Sequence, residues 1–354
     1  MLTESPLDHE RPIIDPHHHL WDWPTSMLGV LPFPGHPFND ILKTKHRYLL
    51  DQLLADVTAG HNIRATVFIE TNAMYRKDGP EETQSLGETE FANGIAAMCA
   101  SGTYGDVLGA AGIVGHVDLR LGERSEGILE QHINVAGGRF RGIRQSGAWD
   151  SDATVLGVSS AAPPGLFADP AFRKGFAVLR KLNLNFEAWV VETQLAEVMD
   201  LAWTYPDTSI VLNHLGTPLG VGPYAGHRRE RFDAWRNGMK DLGRCQNVSL
   251  KLGGLAMPCL GFPWSIDVRP QTSAELATAW KPYIDAGVEA FGPARCMFES
   301  NFPVDYYSCN YVQLWNAFKR VAAEFTGTEK NELFYGTARR VYRLPLPDLP
   351  EVDR

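Results

Sequence analysis

The stretch that decides the fold is Ile13-Ile14-Asp15-Pro16-His17-His18-His19-Leu20-Trp21-Asp22-Trp23. It opens as a short apolar run and ends in three imidazoles and two indoles, as a strand does when it hands over to chemistry. Side chains alternate across a strand, so His17 and His19 share one face while His18 turns to the other. Two inward histidines on one strand are costly in an apolar interior unless they are paired or bind an ion. Neutral imidazoles at i and i+2 can chelate one divalent ion, for which Zn²⁺ is a fitting choice.

Seven more runs of this kind follow: 64–70, 107–117, 140–145, 185–190, 209–214, 247–252 and 296–301, the first being 13–20. Between them lie stretches with apolar residues three and four apart, such as Phe176, Leu179 and Leu182. Helices are expected over 49–59, 88–100, 169–182, 194–205, 229–243 and Ser273–Phe291. Strands alternating with helices make a parallel sheet, and eight of them close it. The expected fold is α/β, a (β/α)8 or TIM barrel forming a single domain over 1–354. It has a tail at 1–12 and C-terminal helices within 311–345, the last packing outside the barrel. A doubly wound open sheet would want a GxGxxG loop after an early strand, and the sequence has none. Pro/Gly-rich stretches at 31–37, 161–165 and 257–270 read as long rim loops.

Composition narrows the partners. With 354 residues, 44% hydrophobic and 21% charged, the chain can bury a large core. A net charge of −9 and no basic cluster speak against nucleic acid. No apolar run nears the ~18 residues of a membrane span. Five scattered cysteines without CxxC, and an N-terminus lacking an apolar leader, fit a cytoplasmic protein with reduced thiols. The expected partner is a small molecule, carboxylated or a polyol, and a homo-oligomer is compatible with this class of barrel.

In a parallel barrel the active site lies at the C-terminal strand ends. His214 ends the sixth run and can serve as a third metal ligand or as an acid/base. Period two places Glu299 and Asn301 on the inward face of the eighth, the carboxylate deeper. A buried Glu needs a cation or a donor, and pairing with a nearby Arg or Lys is the alternative to catalysis. Arg144 on the fourth run offers a fork for a substrate carboxylate or a partner for an inward Glu. Glu70 ends the second run and suits hydrogen bonding to a polyol or to Arg144. His116 and Trp21 are candidates for substrate contact, and Lys251 for substrate contact or a salt bridge inside the barrel.

At these residues the chain resembles the amidohydrolase superfamily, in particular its "amidohydrolase 2" branch. The resemblance rests on D-x-H-x-H at Asp15, His17 and His19, on N-H-L-G-x-P from Asn213 to Pro218, and on R-G-I-R ending at Arg144. The K-L-G-G-L run from Lys251 and the tail from Gly336 to Leu344 add to it. It implies hydrolysis of a small lactone or amide, with a divalent ion on His17, His19 and His214. A metal-independent variant, in which Glu299 or His214 activates water, stays open. So do a metal-dependent decarboxylase or hydratase on the same scaffold and a catalytically silent ligand-binding barrel. The branch carries an Asp in its eighth-strand motif where this chain has Asn301, and an amide cannot take a proton at neutral pH.

Overall fold

The computed structural model describes residues 4–29, 31, 33, 35–159, 162–265 and 271–349, so parts of the three rim loops lie outside the described residues. Its main sheet is parallel and runs through β1 (Pro12–His18), β2 (Asn62–Ile69), β3 (Leu108–Gly115) and β4 (Phe140–Arg144) to β5 (Asn185–Ala188), β6 (Ile210–Leu212), β7 (Val248–Lys251) and β8 (Cys296–Met297). Neighbours in space are neighbours in sequence throughout. The ring closes where His18 bridges Phe302 in parallel, with His19 N–H donating to Phe302 O at 2.8 Å. Each strand is followed by an outer helix: α1 (Leu50–Val57), α2 (Leu86–Ala100), α3 (Ser125–Val135), α4 (Pro170–Lys181), α5 (Leu195–Thr204), α6 (Arg228–Leu242), α7 (Ser273–Phe291) and α8 (Tyr311–Val321). This is the (β/α)8 barrel that the alternation implies.

Strand alternation divides the apolar core in two. Ile13, Phe68, Ile113, Ile143, Phe186 and Leu250 face the helices. Ile14, Val67, Val114, Val211 and Met297 fill the interior, together with Tyr335, Ala338 and Tyr342 from the C-terminal segment. That segment was expected to pack outside. Its helical turns Gly327–Asn331 and Thr337–Val341, joined by a π-turn at Glu332–Gly336, instead run under the barrel. Tyr342, fully buried, enters the floor and donates its hydroxyl to Glu187.

Other boundaries differ from the sequence reading for reasons of backbone pairing. The eighth strand was expected to reach Asn301 but ends at Met297. Beyond it Phe298 N–H donates to Leu333 O at 2.9 Å, and Ser300 N–H to Asp15 Oδ1 at 2.9 Å, so the ladder with β7 stops. The sixth ends at Leu212 because His214, Leu215 and Thr217 are left-handed, with φ of 53°, 55° and 47°. Helix α3 was not foreseen: its buried face includes His132, held by Thr89 Oγ1 at 2.8 Å, which interrupts the apolar repeat. Between β1 and α1 a two-stranded ribbon (Trp21–Asp22 against Arg47–Tyr48) and the helix Pro37–Thr44 rise beside the mouth. Among the described residues no helix is long and apolar enough to cross a membrane, and all five cysteines are buried and free.

Candidate active site

A cavity of about 390 Å³ opens at the C-terminal end of the barrel. His19, Glu70, Arg144, His214 and Asn301 all reach it. His17, Glu299 and Lys251 lie just beneath, fully buried and outside its lining.

Glu299 organises the floor. Its Oε1 accepts from His214 Nδ1 at 2.7 Å and lies 3.3 Å from the His214 backbone N–H. A carboxylate only accepts here, so His214 Nδ1 is the donor, and Nε2 is the ring nitrogen left for the cavity that His214 lines. The other oxygen, Oε2, stands 2.7 Å from His17 Nδ1 but obliquely to the ring N–H direction, so the contact is an ion-pair distance rather than a directed hydrogen bond. Two glycines make this packing possible. A Cβ on Gly253 would lie 2.3 Å from Glu299 Cγ, and one on Gly254 (φ +66°) would lie 2.5 Å from the His214 ring. The diglycine after β7 therefore has a physical role that the K-L-G-G-L motif alone did not reveal.

His17 and His19 converge as alternation requires, although β1 carries an irregular register between Asp15 and His18. Their Nε2 atoms are 3.2 Å apart. His19 Nδ1 donates to Ile69 O at 2.9 Å, which leaves its Nε2 as a lone pair aimed at His17. Two such nitrogens at this separation require a proton or a cation between them. Burial first, then neighbouring cations, drives both imidazoles well below their ordinary pKa, Lys251 counting most for His17 and Arg144 for His19. Both are therefore neutral, the form that binds metal. His18 points away to Thr66 Oγ1 at 2.9 Å, and burial takes it to about 3. Asp15 does not enter the cavity. It accepts from Ser300 N–H at 2.9 Å and from Tyr311 OH at 3.0 Å, tying β1 to the loop that carries Glu299, while burial raises it to about 6.

The two buried cations are committed. Lys251 Nζ donates to Glu187 Oε2 at 2.9 Å and approaches His17 Nδ1 at 3.2 Å. Arg144 Nε donates to Glu70 Oε1 at 2.6 Å and Nη2 to Glu70 O at 2.5 Å, which leaves Nη1, 3.4 Å from His17 Nε2. The Arg144 fork is thus closed by Glu70 and is not open for a substrate carboxylate. Of Glu70, Glu187 and Glu299, only Glu299 meets imidazoles alone. His17, His214 and Glu299 form the cluster whose potential ligand atoms all lie within 4.8 Å of one another, so a divalent cation fits the donor set and the charge.

Among the other expected contacts, Trp21 lines the cavity, its ring stacked 6.0 Å from His19, whereas His116 Nδ1 donates to Arg144 O at 3.0 Å and Lys251 stays below. Asn301 reaches the cavity from a left-handed backbone (φ 54°), and its Nδ2 donates to Asp305 Oδ1 at 2.8 Å. Asp305 is the carboxyl behind the amide, and burial pushes it well above the carboxylate range. Sequence reasoning missed it, as it missed Glu88 on α2. Glu88 Oε1 accepts from Thr71 and Ala73 N–H at 2.9 and 3.0 Å and so holds the loop after β2. Burial and the adjacent Glu70 raise Glu88 to about 8. Neither residue stands at a strand end, the one sequence signal available for finding site residues.

The family model "Amidohydrolase" matches residues 14–344. An uncharacterised protein of Sinorhizobium fredii, y4mH, is 32% identical over 335 residues, covering 94% of this chain and 98% of that one. An L-fucono-1,5-lactonase of Burkholderia multivorans is 28% identical over 347 residues, with 94% and 97% covered. Among solved structures, a zinc-bound amidohydrolase from Burkholderia multivorans superposes with a TM-score of 0.70 at 24% identity, covering 95% of this chain and all of the other.

Proposed function

Because the chain belongs to the amidohydrolase family, we propose that it is a lactonase, opening a small cyclic ester with His214 as the general base. The observation that carries this is the 2.7 Å contact between Glu299 Oε1 and His214 Nδ1, which engages Nδ1 and leaves Nε2 as the ring nitrogen available to the cavity that His214 lines. A base must be held in one tautomer and within reach of the water it activates. The likeness to an L-fucono-1,5-lactonase supports the choice of a cyclic ester.

In this reading His214 Nε2 takes the proton of a water as its oxygen attacks the ester carbonyl. The new C–O bond forms, the ring C–O bond breaks, and His214 returns the proton to the leaving ring oxygen. Glu299 holds the imidazole and balances its charge while it is protonated. Arg144 Nη1 is the one guanidinium nitrogen left to face the oxyanion as it develops. Asn301, lacking a basic group, orients rather than deprotonates. His17 and His19 would hold a divalent cation through their facing Nε2 atoms, His214 Nε2 being taken up by its role as base, and the zinc in the Burkholderia amidohydrolase supports Zn²⁺. When bound, such an ion supplies positive charge to polarise the carbonyl.

Turnover of a lactone panel by the purified chain, with and without chelator, tests the proposal. Ring opening is expected, slowed by chelator and restored by Zn²⁺. Silence on all lactones in both conditions would refute it. A decarboxylase would need a site for the substrate carboxylate, and the closing of the Arg144 fork by Glu70 weighs against that reading.

A further inference from the structure

The walls of the cavity differ from its floor. The β1–α1 insertion contributes Trp21, Trp23, Phe38, Ile41 and Leu42, and the opposite side adds Trp189, Met257 and Val304, so most of the lining surface is apolar. Aromatic rings abut the reacting groups directly. Trp21 is nearly parallel to His19 at 19°, and Trp189 stands edge-on to His214 with centroids 6.4 Å apart. Arg144 Cζ lies over the Trp189 ring, 5.6 Å from its centroid.

Much of the polar capacity around the cavity is already used. Glu70 Oε1 and Arg144 Nε bind each other, while Glu70 Oε2 and Trp23 Nε1 are buried without a hydrogen-bond partner among the described residues. Asn72 Oδ1 accepts from Tyr75 OH at 3.0 Å, Trp21 Nε1 donates to Lys45 O at 2.6 Å, and Asn301 Nδ2 serves Asp305. A polyol entering here would bring hydroxyls against indole and alkyl surface, and a carboxylate would find no open fork. Burial of polar groups without partners disfavours both.

We infer that the substrate is an uncharged lactone bearing an apolar substituent, an alkyl chain or an aryl ring, which seats between Trp21, Phe38, Ile41 and Trp189 while the ester carbonyl faces His214. The inference rests on the lactonase reading for its reactive group, but its apolar part rests on the walls alone. It narrows the expected substrate class, carboxylated or polyol, to neither.

The test uses the intact protein and two series of probes. In the first, kcat/KM is measured for unsubstituted δ-valerolactone, its 5-alkyl derivatives of increasing length, dihydrocoumarin and a hexose-derived polyol lactone. Each added methylene is expected to raise kcat/KM about fourfold until the cavity is full, by the free energy of burying one CH₂. The polyol lactone is expected to fall below the alkyl compounds by up to about a hundredfold. In the second series, calorimetry measures binding of the matching alkyl-substituted δ-lactams, whose amide bond resists hydrolysis, so affinity is read without turnover. Phe38→Ser is expected to flatten the chain-length dependence in both series, and Phe38→Leu to restore most of it. Faster turnover of the polyol than of the alkyl lactones would overturn the inference and leave hydrolysis standing. No turnover, with lactam affinity still rising along the series, would remove the hydrolysis reading and sustain the apolar site. Affinity that does not vary with chain length would overturn the inference outright.

Discussion

The two ends of the barrel interior are built from the same strands and have opposite characters. At the lower end β1 offers Ile14, β6 Val211 and β8 Met297, and the C-terminal Tyr342 seals them from below. A few residues further along the same chain segments come His17, His214 and Glu299, all buried and all polar. The lower half is held by strand ladders, with register shifts at Ile13/Ile14, Ala65/Val67 and Ile113/Val114 and a left-handed Ala110 in β3. The upper half is where the ladders end and Asn72, His214, Leu215, Thr217 and Asn301 take left-handed backbone, each costing of order 1 kcal/mol for a residue with a Cβ. Apolar filling below supplies rigidity, and the strained turns above aim side chains that a continuing strand would point elsewhere.

That division gives graded expectations. The largest effect belongs to the upper half: His214→Asn should lower kcat/KM for a lactone about 10²–10⁴-fold, the usual contribution of a general base. Thermal unfolding monitored beside the kinetics should show the variant still folded, and full activity would remove His214 from the chemistry. Glu299→Gln comes next, with a loss of about 10–100-fold, because the residue acts by orienting His214 rather than by touching substrate. A Gln variant as active as the parent would show that the imidazole needs no such partner.

Tyr342→Phe tests the floor. It takes a donor from the buried Glu187 and should cost about 1–3 kcal/mol in urea unfolding, with kcat/KM within about twofold. A tenfold loss of activity at unchanged stability would break the separation of the halves. The smallest effect is a slope. Glu88 titrates near 8 in the folded chain against an ordinary 4.5, so the folded form holds the proton more tightly. The stability this contributes is complete below about pH 4.5 and is lost as pH rises toward 8. The parent should therefore lose stability relative to Glu88→Gln between pH 6.5 and 7.5, by up to about 1.4 kcal/mol. Parallel pH profiles of parent and variant would show that Glu88 does not titrate there.

How much of this was legible in the sequence follows the same division. Alternation and helical spacing placed every barrel strand, because those residues obey the period of a regular element. The same period placed His17 and His19 together. It failed where the period stops. Extending the eighth strand to Asn301 put Glu299 in a ladder, whereas it lies in a loop pinned by Asp15 and Ser300 and grips His214 from across β7. The role of Gly253 and Gly254 depends on that grip, which spans 85 residues from His214 to Glu299 and leaves no local pattern. Tyr342 looked like part of an outer helix because its partner Glu187 is 155 residues away. The apolar roof was hidden too: Phe38 and Ile41 come from a helix inserted in a loop that the sequence shows only as rich in proline and glycine.

The central claim is that Glu299 fixes His214 as the tautomer protonated on Nδ1. Long-range ¹H–¹⁵N correlation spectra of the ring nitrogens, with the His214 signals identified by their disappearance in His214→Asn, read this directly. A protonated Nδ1 and a pyridine-like Nε2 are expected in the parent, and loss of that pattern in Glu299→Gln. A His214 ring carrying its proton on Nε2 in the parent would contradict the account.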